Sequence, residues 1–124
     1  MAKCAGRRRN PREGENTINL PRDIYTITLS VAKAYNTMLK RRDDYNSMSN
    51  SGDICAVARR NNKKIEAVEQ AWAACVDECE RELIKKNLFE HVPMGYINLP
   101  MSERSMRRAR KRFLIRLAER LEEI

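Results

Sequence analysis

The sequence predicts an all-α protein, and three observations carry that prediction. Apolar residues recur every three or four positions through three long stretches, the signature of amphipathic helices. Only four glycines and four prolines punctuate 124 residues, too few for the frequent turns of a strand-rich chain. Apolar residues make up 42% and charged residues 34%, which suits a modest core inside solvated helix faces. The length fits one domain with additional ends. We divide it into a flexible basic arm at 1–16 and a single helical domain at 17–124.

The arm, "MAKCAGRRRNPREGEN", has almost nothing to bury. Its Arg7, Arg8 and Arg9 could be an accident of expression, a solvated tail, or an arm that reaches into a DNA groove. The first helix is expected within "INLPRDIYTITLSVAKAYNTMLKRRDDY". Pro21 suits the first helical position, where a missing N–H costs nothing. Ile24, Ile27, Val31, Ala34 or Tyr35, and Met38 make the expected core stripe. Asp23 near the start and Lys40, Arg41 and Arg42 near the end agree with the helix dipole. "NSMSNSG" is expected to be a polar loop.

A second long helix is expected over about residues 62–89, with a short helical turn before it in "DICAVARR". Ile65, Val68, Trp72, Cys75 with Val76, Cys79 and Leu83 form its stripe. Trp72 lies on that stripe, which makes it core rather than a stacking platform. Asp77, Glu78, Glu80 and Glu82 form an acidic cluster with two readings, a solvated face or a docking surface for a basic partner or for the last helix. "HVPMGYINLP" then breaks the helix, leaving room for one turn around Tyr96, Ile97 and Leu99. "INLP" occurs at 18–21 and at 97–100, each time before a helix, as shared helix-start chemistry.

The net charge of +8 is concentrated at the ends. Residues 1–16 carry five cations and two anions, and residues 102–124 carry eight and four, while the middle is nearly neutral. Such asymmetry points to nucleic acid or anionic lipid, with solubility alone as the plainer account. No stretch approaches the ~18–20 apolar residues of a membrane span. The basic N-terminus has no apolar segment behind it, so no signal peptide is expected. The expected location is the cytoplasm. Cys4, Cys55, Cys75 and Cys79 are expected to be free thiols, the last two on one helix side, because one histidine and no second clustered pair cannot complete a tetrahedral zinc site.

"SERSMRRARKRFLIRLAERL", residues 102–121, carries the strongest functional signal. Ser102 is an N-cap candidate, with Glu103 favourable in the first turn. At 100° per residue, Met106, Phe113, Leu117, Leu121 and Ile124 cluster on one side, with Ala109 and Leu114 at its edges. Arg104, Arg107, Arg108, Lys111 and Arg112 fall opposite them. Arg110 lies near the apolar side and must snorkel. Arg116 and Arg112 can pair with Glu119 or stay free. Cations crowd the first turns and anchoring groups the last, the polarity a groove-reading helix needs. Guanidinium groups bind phosphate and can pair with guanine edges, and Ser102 and Ser105 can donate to phosphates at the helix start.

"LIKKNLFEHVPMGYINLPMSERSMRRARKRFLIRLAERL" resembles the C-terminal region of small phage transcriptional regulators of the ArpU/RinA type, which carry a helix-turn-helix similar to region 4 of sigma factors. The matching pattern is an apolar helix ending in "LI", a short link, "LPMSERSMRRARKRF", then "LAERL", over roughly residues 80–121. The resemblance implies a helix-turn-helix-like unit at 80–124 and DNA binding at phage promoters in a bacterial host, with host RNA polymerase as a candidate partner and a homodimer compatible. It makes Ser102 the cap of a recognition helix, Arg104, Ser105, Arg107 and Arg108 groove-facing, and Lys111 and Arg112 phosphate contacts. Here the helix before the recognition helix is reduced to "PMGYINLP".

No glycine-rich phosphate loop and no nucleophile with a base partner is visible, so no enzyme, cofactor or metal is expected. His91, alone beside a proline, reads as structural or exposed. The expected function is transcriptional regulation through duplex DNA. The alternative is a small RNA-binding or protein-binding adaptor, including a phage structural or packaging accessory protein.

Overall fold

A computed structural model describes residues 20–48 and 52–122, and all regular structure among them is helical. α1 spans Arg22–Lys33, α2 Tyr35–Ser47, α3 Gly52–Ala73, α4 Glu78–Ile84 and α5 Glu103–Arg120. A π turn at Lys85–Phe89 prolongs α4, and one 3-10 turn at Met94–Tyr96 interrupts the link to α5. The predicted arm with Cys4, Arg7, Arg8 and Arg9 lies outside the described residues, as does Ile124.

Two helices expected to run unbroken are divided. The first is cut at Ala34, where no glycine or proline marks a break. The cause is tertiary. His91 Nε2 lies 2.8 Å from the Lys33 carbonyl oxygen and donates to it. Asn36 Nδ2 donates to the Phe89 carbonyl at 3.0 Å, and the Tyr35 ring lies against Phe89 with centroids 4.6 Å apart. His91 thus takes up a backbone carbonyl where α1 ends, and the Asn36 side chain and Tyr35 ring fasten the start of α2 to the π turn. His91 adopts a positive φ of 62°, and Val92 N–H closes back to the Lys86 carbonyl at 2.8 Å, a left-handed helix cap widened by the π turn. Pro21 takes the cap position, one place before the first helical residue.

The buried line on the N-terminal helices also differs from the expected stripe. Thr28, Ala32 and Met38 are buried, whereas Ile27 is 46% exposed. The packed face is rotated by one residue, and Ile24 and Val31 become its half-buried margin.

The central helix begins earlier than expected, at Gly52, and stops at Ala73. The short turn in "DICAVARR" belongs to this one helix. The chain then turns through 74–77 and restarts with Asp77 as N-cap, its carboxylate accepting from Glu80 N–H at 2.9 Å. Trp72 Nε1 donates to the Arg81 carbonyl at 2.9 Å, and Arg81 Nη1 donates to the Cys75 carbonyl at 3.1 Å, so the turn is closed from both sides. Cys75 and Cys79 therefore do not share a helix face, contrary to expectation, and Val76 points outward at 75% exposure.

Phe89 gathers the core. Its ring meets Tyr35 of α2, Trp72 of α3 at 5.7 Å and Phe113 of α5 at 6.4 Å, the last two edge-to-face. Around it pack Ala32, Val68, Ala71, Ile84, Leu88, Leu114 and Leu117, drawn from α1, α3, α4, the π turn and α5. A smaller cluster of Leu83, Ile97, Met106 and Ala109, flanked by Val92, Met94, Leu99 and Met101, supports the first half of α5.

Candidate nucleic-acid interface

The start of α5 is fixed by its own serines. Ser102 Oγ accepts from Ser105 N–H at 3.1 Å and donates to Ser105 Oγ at 3.1 Å, which satisfies one of the helix's leading N–H groups. Both residues are exposed. Beneath them Met106, Ala109, Phe113, Leu114, Leu117 and Ala118 are buried, so the apolar side falls where the spacing placed it. The opposite side faces solvent along the first turns.

Seven of the eight cations of α5 separate into two groups, and Arg110 stands apart, half-buried on the apolar side. Arg104 and Arg108 are exposed and Lys111 half-buried, and none has a hydrogen bond or ion pair among the described residues. Arg107 reaches back to Glu103 at 2.6 Å, an exposed pair that a phosphate can displace at little cost. These four are the predicted contact residues that share the open face.

Arg112 does not join them. It pairs with Glu80 of α4, whose side chain is only 6% exposed. A carboxylate so buried needs its counter-charge, and Arg112 supplies it, so this expected phosphate contact is engaged inside the fold, where it ties α5 to α4. The acidic cluster resolves in the same stroke. Glu80 docks α5, while Glu78 pairs with Arg81 at 2.8 Å and Glu82 with Lys86 at 3.3 Å on the surface.

Arg116 neither pairs with Glu119 nor stays free. Its Nε donates to the Ala71 carbonyl and its Nη2 approaches Cys75 Sγ, each at 3.4 Å. Arg120 Nη1 donates to Gln70 Oε1 at 3.1 Å. Burial pushes the Cys75 thiol above its ordinary value, with Arg116 acting in the opposite direction. Cys55, Cys75 and Cys79 are free thiols.

A second basic surface escaped the charge count. Arg59, Arg60, Lys63 and Lys64 of α3 are exposed, and the first three line a shallow cleft with Arg42 of α2. "RRNNKK" carries four cations in six positions, a signal hidden when the middle of the chain is averaged with its acidic residues. Glu66 and Glu69 in the same cleft temper it.

Among the described residues no helix is long and apolar enough to cross a membrane. Comparison with known proteins gives no likeness to weigh against this geometry: no family model, no curated protein and no solved structure matches the chain.

Proposed function

We propose that this chain is a DNA-binding transcriptional regulator of phage type, laying the first half of α5 on duplex DNA. The observation that carries the reading is the two-sided character of that half-helix. Arg104, Arg107, Arg108 and Lys111 project from the side opposite Met106, Ala109 and Phe113, which are buried. A solvated helix needs no such concentration of cations on one side of its first three turns.

In the proposed complex the cations neutralise phosphates and release condensed counterions, which supplies most of the affinity. Arg104 and Arg108, unpaired within the fold among the described residues, are positioned to pair with base edges; a bidentate arginine on guanine carries sequence information. Ser102 and Ser105 stand at the positive end of the helix dipole and position the nearest phosphate. Promoter control, phage origin and contact with host RNA polymerase rest on the sequence resemblance. The link over residues 90–102 is longer than the turn of a regular helix-turn-helix, so the unit is proposed as helix-turn-helix-like.

Selection of preferred sites from random duplex fragments, followed by fluorescence anisotropy on a selected and a scrambled duplex, tests the reading. A sequence preference is expected, and it should weaken in Arg104→Gln and Arg108→Gln with the fold intact. Equal affinity for unrelated duplexes and single strands would favour the adaptor reading, and absence of nucleic-acid binding would overturn the proposal.

A further inference from the structure

Beside the exposed face of α5 lies a cavity of about 510 Å³, between the start of α1, the 3-10 turn and the second and third turns of α5. Tyr25, Arg107, Arg110 and Lys111 line its polar part, and Leu20, Met94 and Leu114 its apolar part. The volume falls within the usual range of small-molecule sites.

Its charges are unbalanced. The carboxylate on the wall, Glu103, is already engaged by Arg107. Arg110 is half-buried, yet it forms no ion pair among the described residues. Its polar contact there is a long 3.4 Å hydrogen bond from Nη2 to Tyr25 Oη, and its buried Nε has no acceptor. Lys111, next along the chain, is also half-buried and without an acceptor among the described residues. Taking a guanidinium out of water without a counter-charge is costly. On this same helix Arg112, by contrast, has its carboxylate. Two adjacent half-buried cations, a phenol hydroxyl and an apolar wall therefore lack one component, an anion carrying an organic body.

We propose that this cavity is a binding site for a phosphate ester, with the phosphate held by Arg110, Lys111 and the Tyr25 hydroxyl and the organic portion against Leu20, Met94 and Leu114. The phosphate can belong to a free nucleotide-sized molecule or to a nucleic-acid backbone. The site does not depend on the duplex-binding proposal, since a chain that ignores duplex DNA can still take a phosphate ester here.

Calorimetric titration of the full chain with deoxyadenosine monophosphate, inorganic phosphate and deoxyadenosine tests it. The monophosphate should bind more tightly than either of the others, because only it engages both parts of the cavity. Lys111→Gln and Arg110→Gln should each weaken it about tenfold or more, as loss of a charge-assisted hydrogen bond requires. Arg120→Gln, on the same helix but away from the cavity, should leave binding unchanged. Circular dichroism checks the fold of each variant, and Lys111→Gln carries the test if Arg110→Gln unfolds. Competition by a duplex would identify the backbone as a source of the phosphate, and independent binding would identify a free ester; both support the site. Equal binding of nucleoside and monophosphate, or wild-type affinity in the folded variants, would overturn it.

Discussion

Arg112 of α5 is tied to Glu80 of α4, thirty-two residues earlier, and that pair joins the candidate interface to the body of the protein. Glu80 is buried, and Arg112 is half-exposed. Arg112→Met should therefore strand a buried carboxylate whose remaining partner is the Val76 N–H at 3.4 Å. A loss of about 1–3 kcal/mol is expected, below the range for a fully buried pair because water reaches the arginine. Adding Glu80→Gln should recover much of it. Urea denaturation measures both variants, and wild-type stability in the single variant would rule out the tie.

Salt dependence separates contact cations from structural ones. With Arg104, Arg107, Arg108 and Lys111 in contact, log affinity should fall against log salt with a slope of about −3 to −4 per protomer. Lys111→Gln should reduce the slope by about one, and Arg112→Gln, if folded, should leave it unchanged. A flat response would mean that the charged face never meets a polyanion.

Phe113 is fully buried and stacked edge-to-face on Phe89. Phe113→Ala should cost about 3–5 kcal/mol, a large share of the ~5–15 kcal/mol that holds a domain together. Thermal or urea melts read the effect. Near-native stability accompanied by lost DNA binding would place the ring on a partner surface instead.

Tyr35 donates to Glu69 at 2.7 Å. Burial, then the hydrogen bond to Glu69 and the proximity of its charge, push the phenol up to about 12 from its ordinary value of 10.0. The folded state thus holds this proton more tightly than the unfolded chain. Its contribution to stability is complete below about pH 10 and disappears as pH rises through about 12. Phenolate absorbance should show an ionisation at about pH 12 that is lost in Tyr35→Phe and moved earlier by Glu69→Gln. A Tyr35→Phe titration identical to wild type at about pH 12 would contradict it.

The sequence was most informative where the determinants are local. Ser102 announced its cap, and the spacing of Met106, Phe113 and Leu117 placed the buried side of α5. Asp77-x-x-Glu80 is also a local signal, an N-cap pattern, but it was hidden inside an acidic run. The division at Ala34 has no comparable mark, because the group that binds Lys33 carbonyl comes from His91, fifty-eight residues on. Arg112 looked like an exposed contact for the same reason. Helical angle specifies the side on which it emerges, not the carboxylate that another helix brings to it.

The two footings of α5 have a kinetic consequence. Phe113, Leu114 and Leu117 are anchored in the main core, whereas Met106 and Ala109 rest on the smaller cluster built largely from the link at 90–102. Amide protons around 113–118 are therefore shielded until the whole core opens, while those around 106–109 can exchange through a limited opening of the link. A binding partner resting on the basic half would slow that local exchange and leave the inner half almost unchanged. The helix is continuous in the backbone, yet its two ends answer to different opening equilibria.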